Sequence, residues 1–141
     1  MPMSVDIKVR GYHLDVYRHV NNARYLEFLE EGRWDYFDRK AFLSHFVDTT
    51  LAFVVVNINI SYVRPAFEGE TLRVMTRMAN VGTKSARMSQ KIWVLNEQGE
   101  PEAKVSEAVI TFCLLDQESQ QAIAISGTVR ALLETMIEED T

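Results

Sequence analysis

Between Ala23 and about Asp38 the chain carries a helical pattern whose apolar arc is too wide for a helix covered on one side only. Arg24, Glu27, Glu31, Asp35 and Asp38 share one face, while Tyr25, Leu26, Phe28, Leu29, Tyr36 and Phe37 take most of the rest. Glu30 and Arg33 interrupt the arc three residues apart, the spacing at which two helical side chains meet, and they are expected to pair. Something in the remaining chain must wrap this helix.

The remaining chain is mostly strand. Val5, Ile7 and Val9 alternate within residues 5–12, the period of a half-buried strand. After Thr50 the β-branched run 51–63 leads to a turn punctuated by Pro65 and Gly69, then to a strand over 71–79. Residues 80–83, with Gly82, read as a hairpin connection into 84–95, and 103–116 is the last long strand. A shorter helical segment is expected near 39–47. At the end Val129, Leu132, Leu133, Met136 and Ile137 recur at helical spacing behind the candidate caps Ser126 and Thr128. Consecutive strands joined by short turns make an antiparallel sheet with the helices segregated from it, an α+β architecture. A sheet wrapped around one long apolar helix, with a short C-terminal helix, is the hot dog arrangement.

Size and composition narrow the function classes. A chain of 141 residues, with no repeat or low-complexity tract, is expected to form one domain over 1–141. Lys and Arg number 15 against 20 Asp and Glu, a formal charge of -5, with no basic block, so nucleic acid is not an expected partner. The start, MPMSVDIKVRGYH, lacks the apolar run of a signal peptide, and no segment is long enough to cross a bilayer. The expected location is cytoplasmic. Cys113 is the sole cysteine and sits in an apolar strand, where a small buried hydrophobe is the expected role, not a catalytic thiol. The three histidines, His13, His19 and His45, have no metal-ligand spacing, so no metal site is expected.

Chemistry concentrates in HLDVYRHVNNARY, 13–25, at the mouth of the apolar helix. Asn21 or Asn22 suits the N-cap. Just behind such a cap, free N–H groups and the positive end of the helix dipole can stabilise an oxyanion. Taken alone, Asp15 and His19 read more readily as loop residues that cap backbone donors than as catalytic groups, and the full spacing through Tyr25 reverses that reading.

The stretch GYHLDVYRHVNNARYLEFLEEGRWDYF, with FVVVNINISYVRPA at 53–66 and then EGETLRV and GTKSARMSQKI, resembles the 4-hydroxybenzoyl-CoA thioesterase and YbgC-type branch of hot dog acyl-CoA thioesterases. The likeness runs over nearly the whole chain, is most specific from Asp15 to Tyr25, and is greatest to the bacterial long-chain enzymes of fatty acid degradation. It implies that Asp15 acts on the thioester as nucleophile or as general base to water, with both roles open. It implies Asn22 as the backbone oxyanion donor, His19 as an orienting partner or proton donor, and Tyr25 as part of the substrate site. The substrate implied is an acyl-CoA, with no separate cofactor because coenzyme A belongs to the substrate. Self-association as a dimer or tetramer is implied as well.

Cations are needed for the CoA phosphates. Arg64 beside Pro65, and Lys84 with Ser85 after the Gly82 turn, are the candidates, with Arg87 and Lys91 behind them. Asn57, Asn59 and Ser61 alternate on one strand face and either line a subunit junction, with Asn57 touching substrate, or face water. Glu27 and Glu31 fall on the solvated face, and Glu30 is the glutamate left to structure beside Arg33. Two other functions compete. One is a hot dog dehydratase or hydratase, but His45-Phe46 runs into Val47 without the Pro of the acyl-carrier dehydratase motif. The other is a non-catalytic acyl-CoA binding module.

Overall fold

The computed structural model describes residues 3–140, so Met1 and Pro2 of the segment read for a targeting signal, and Thr141 at the end of the expected domain, lie outside the described residues. The elements are β1 (Met3–Lys8), a 3-10 turn (Gly11–His13), α1 (Asn22–Arg39), a second 3-10 turn (Leu43–Phe46), β2 (Leu51–Tyr62), β3 (Thr71–Val81), β4 (Ser85–Leu95), β5 (Pro101–Asp116), β6 (Gln121–Ile123) and α2 (Gly127–Asp140). The strands form one antiparallel sheet in the order β1-β3-β4-β5-β2, with β6 also on β5. The sheet does not close, so β1 and β2 are its edges. This is the hot dog arrangement expected from the sequence.

Alternation gives the sheet two unlike faces. Leu72, Val74, Thr76 and Met78 of β3, Met88, Gln90 and Ile92 of β4, and Ala108, Ile110 and Phe112 of β5 are buried on the face that carries α1. Arg73, Met75 and Arg77 alternate with them, as do Ser89, Lys91 and Trp93, on the other face. Bulges between Val55 and Asn57, Met78 and Asn80, and Ile92 and Trp93 bend the strands around the helix.

α1 packs nearest to β1 and β3. The approach is close enough that a Cβ on Gly32 would lie 2.7 Å from Val74 Cγ1 and 3.0 Å from Thr76 Oγ1. On its other side, toward β2 and β5, the gap is filled by rings: Phe37 stacks on Phe42, and Phe53 stacks on Phe112 at 4.5 Å.

Three expectations need correcting. The first strand ends at Lys8, not near residue 12, because the chain turns at Gly11–His13, where His13 Nδ1 accepts the Arg10 N–H at 2.9 Å. Glu30 does not pair with Arg33: it accepts from Trp34 Nε1 at 3.2 Å, while Arg33 turns into the core and donates to Gln90 Oε1 at 3.1 Å. Cys113 is half-buried on the outer face, since the inward positions of β5 there belong to Phe112 and Leu114. A further strand, β6, carries no sequence signal because three residues are too short for an alternation to register. The terminal helix starts at Gly127, between its two candidate caps, and buries Val129, Leu133 and Met136. Among the described residues no helix is long and apolar enough to cross a membrane.

Candidate active site

The loop before α1 is shaped by one carboxylate. Asp15 Oδ1 accepts the backbone N–H of Tyr17 at 2.9 Å and of His19 at 3.4 Å, and the Asp15 N–H bonds the His19 carbonyl at 2.9 Å. Arg18 completes the turn at φ 62, and Leu14 bridges to Val20. A carboxylate held this way by one oxygen leaves Oδ2 without a partner among the described residues. Asp15 is half-buried.

Asn21, not Asn22, is the N-cap, its Oδ1 accepting the Ala23 N–H at 2.9 Å. Asn22 therefore opens the helix with its own N–H unbonded among the described residues, as the first-turn donors of a helix are. The Asn22 carbonyl accepts from Tyr62 Oη at 3.4 Å, and the Tyr62 ring lies 5.4 Å from that of Tyr25. Tyr25 is buried against Phe28, and burial first, with Glu70 adding to it, pushes its phenol above the usual value.

Asp15, His19, Asn22, Tyr25 and Arg64 line one pocket of about 250 Å³ at the N-terminus of α1, together with Tyr62, Val63 and Pro65. The His19 ring packs edge-on to Phe67 at 5.1 Å, so it is the His19 backbone, not its imidazole, that holds Asp15. Arg64 leans on Glu70 at 3.7 Å. Sequence patterning does not mark Tyr62, Phe67 or Glu70 as site residues: Tyr62 falls inside the strand run 51–63, while the other two are placed by the turn after Pro65.

The remaining sequence candidates lie elsewhere in the chain. Asn57 is exposed on the outer face of β2, with Asn59 and Ser61. Ser85 pairs with Cys113, whereas Tyr62 pairs with Ser106. Ser106 to Cys113 along β5 is roughly 23 Å at the strand rise. Lys84 and Ser85 thus sit at the opposite end of the sheet from Asp15.

The loop itself is anchored by His13. It is buried against Phe28, its Nδ1 takes the Arg10 N–H, and its carbonyl takes the Asn21 N–H at 2.9 Å. Burial, then Arg24, hold its pKa below 6.5 against a weaker pull from Glu27. Among the described residues no cluster of three or more His, Cys, Asp or Glu is arranged to hold a metal ion.

Comparison with known proteins bears on this site directly. The sequence profile of the thioesterase-like superfamily matches residues 9–133. The chain belongs to that superfamily. It is 47% identical to the long-chain acyl-CoA thioesterase FadM of Escherichia coli strain K12, over 96% of this chain and 99% of that protein. Its fold superposes on the probable thioesterase YbaW from Escherichia coli with a TM-score of 0.85, at 46% identity over 96% of this chain and 98% of that one. A 1,4-dihydroxy-2-naphthoyl-CoA thioesterase from Synechocystis, 13% identical over 99% of this chain and 97% of that chain, shares the fold with a TM-score of 0.79. For a thioesterase-like superfamily member, a pocket joining a half-free carboxylate to an unbonded helix N–H is the natural place to look for the chemistry.

Proposed function

We propose that this chain hydrolyses long-chain acyl-CoA thioesters to the free acid and coenzyme A. The observation that carries the reading is the convergence of Asp15, the Asn22 N–H and Arg64 on one pocket. The relation to FadM supports acyl-CoA as the substrate class.

The thioester carbonyl lies against the Asn22 N–H, which with the helix dipole stabilises the charge that oxygen gains as the carbon becomes tetrahedral. One such donor is worth on the order of 3 kcal/mol of barrier. Because it is a backbone group, side-chain substitution at Asn22 leaves it in place. Asp15 Oδ2 either attacks the carbonyl, giving a mixed anhydride that water opens, or takes the proton of an attacking water. In both routes the C–S bond breaks and CoA leaves as a thiolate, which needs no strong acid because a thiol pKa is about 8.5. The His19 ring borders the pocket and can return a proton to it. No cofactor enters the reaction.

Chain length finds support in the open side of α1. Leu26 and Trp34, four residues to either side of Glu30, are exposed on the stripe that begins at Asn22. The stripe leads toward a second pocket lined by Arg33, Trp34, Phe37, Phe53, Val55 and Phe112. From Asn22 to Arg33 is about 16 Å at the helical rise. A single leaflet of long fatty acyl chains is about 15 Å thick.

The open edge at β2 supports self-association. A two-fold axis pairing β2 with its copy would run the strands antiparallel, cover Val55 and Val56, and bring the partner's Lys84 and Ser85 toward the Arg64 end of this chain. In that assembly Asp15 and Asn22 act in one chain and part of the CoA contact comes from the other.

Thiol release from a panel of short, long and aryl acyl-CoAs tests the proposal, with Asp15→Asn alongside. Turnover that favours long chains and falls by orders of magnitude in Asp15→Asn is the expected result. A variant that keeps most of its turnover removes Asp15 from the chemistry, and a wild type inactive on every member removes the function.

A further inference from the structure

The pocket at the far end of the stripe is lined by a largely buried cation, Arg33, that has no ion-pair partner among the described residues. Arg33 is 8% exposed, and among the described residues its side chain makes one hydrogen bond, from Nη1 to Gln90 Oε1. That bond is fixed from behind, because Gln90 Nε2 donates to the Leu29 carbonyl and to Thr76 Oγ1, both at 2.9 Å. The amide oxygen is thereby committed to Arg33. A guanidinium has five N–H donors, and no carboxylate lies within ion-pair distance of this one among the described residues. No fully buried side-chain nitrogen or oxygen among the described residues lacks a hydrogen bond, so the guanidinium nitrogens that Gln90 does not bond reach the open side of the pocket.

What faces the free side is a cavity of about 210 Å³ lined by Phe37, Leu43, Phe53, Val55 and Phe112, with Trp34 and Glu30 at its rim. Glu30 is held there by the Trp34 indole at 3.2 Å. Burial draws the Arg33 pKa down, and Glu30 is the charge that opposes this. The cavity is thus apolar on most sides, with Arg33 and Glu30 both at one end and not in direct contact. A carboxylate entering it would add a second negative charge next to Glu30. A hydroxyl would not: its oxygen accepts from Arg33 and its proton can go to the Glu30 carboxylate.

We infer that this cavity binds the distal end of the acyl chain and that Arg33 with Glu30 selects a chain bearing a hydroxyl there. The inference rests on the proposed thioesterase reading and goes beyond it by naming the class of acyl group: long-chain acyl thioesters hydroxylated near the end remote from the thioester.

The test is kcat/KM for four CoA esters of one length: hexadecanoyl, 16-hydroxyhexadecanoyl, 3-hydroxyhexadecanoyl and the mono-CoA ester of the C16 dicarboxylic acid. Wild type is expected to favour the 16-hydroxy ester over the plain one by roughly tenfold, the worth of a hydrogen bond to a charged group, with no such gain for the 3-hydroxy or carboxylate ester. Arg33→Met is expected to bring the 16-hydroxy to plain ratio toward one. Glu30→Gln, a substitution at an exposed position that does not threaten folding, is expected to narrow the same ratio and to improve the carboxylate ester relative to the rest. Equal rates on the plain and 16-hydroxy esters in wild type overturn the inference and leave the thioesterase reading intact. No hydrolysis of any ester overturns both. If Arg33→Met and Glu30→Gln instead change the sedimenting mass and leave the ratio alone, the pocket is occupied by a second copy of the chain and the inference fails.

Discussion

The Tyr36 hydroxyl donates to the Asp140 carboxylate, and the same Asp140 Oδ2 accepts the backbone N–H of Met78 at 3.0 Å. One oxygen therefore ties the last turns of α1 to the end of α2 and to β3. Lys40 closes the cluster, 3.4 Å from Asp140 and 2.7 Å from Glu139. The helix is thus clamped at its C-terminal end, far from the pocket, while its N-terminal end is held by the Asn21 cap and the loop bonds of Asp15 and His13.

Removing the two sides of the clamp should have unequal effects. Asp140→Ala strands the Tyr36 O–H, leaves the Met78 N–H only its longer bond to the Tyr36 oxygen at 3.3 Å, and takes one of two carboxylates from Lys40, at a cost of about 3 kcal/mol. Tyr36→Phe keeps the Met78 and Lys40 contacts to the carboxylate and should cost about 1 kcal/mol. Urea denaturation of both variants at neutral pH measures the difference, and a larger loss in Tyr36→Phe would mean that the ring and not the carboxylate carries the clamp.

The clamp also sets a direction for alkaline stability. Burial, then Asp140, raise the Tyr36 pKa above its ordinary 10.0. Burial pulls Lys40 down, but Glu139 and Asp140 outweigh it and leave its pKa raised above 10.5. Both groups hold their protons more tightly folded than unfolded, so their contribution is complete below about pH 10 and is lost as pH climbs through the folded values. Unfolding free energies measured from pH 8 to 11 should fall over the upper part of that range, and fall less steeply in Tyr36→Phe.

At the other end of the helix the sign reverses. His13 is held neutral in the folded state, so the unfolded chain takes up a proton first as pH drops below 6.5, and stability is lost as pH falls through the depressed folded value. Protonation also removes the Nδ1 acceptor that holds the Arg10 N–H, loosening the turn that leads to Asp15. Asn at position 13 can offer an amide oxygen near Nδ1 without titrating. The slope of stability between pH 7 and 5.5 should therefore flatten in His13→Asn, and an unchanged slope would assign the acid sensitivity to another group.

The contrast between the two ends of α1 shows what sequence can and cannot disclose. The helix, the strand alternation and the polar cluster at 13–25 are local patterns, and they were legible because periodicity and capping act over a few residues. The partners of Arg33 were not. Spacing along the helix suggested Glu30, whereas the bond goes to Gln90, 57 residues away, because an α1 pressed against the sheet at Gly32 carries its neighbour into the core. Gln90 did carry a signal, standing at an inward position between Met88 and Ile92 where alternation calls for an apolar residue. Charge and a neighbouring turn make Lys84 and Ser85 candidates from sequence; only the sheet register reveals that they lie at the end away from Asp15.

Arg64 is the cation the fold does bring to the Asp15 pocket, and its partner Glu70 gives it a test in two directions. Arg64→Ala should raise KM for a CoA ester by roughly tenfold, the scale of a lost charge-assisted bond, with little change for the corresponding pantetheine ester, which lacks the nucleotide phosphates. Glu70→Gln should do the opposite. Glu70 Oε1 accepts the Phe67 N–H at 2.7 Å, a bond the glutamine oxygen keeps, so the turn stays folded while the charge that competes with phosphate for Arg64 is gone. KM for the CoA ester should then fall, and added salt should weaken binding more steeply than in wild type. Equal shifts on both esters in either variant would take Arg64 out of phosphate contact and leave it as a strut between the β2–β3 turn and the pocket wall.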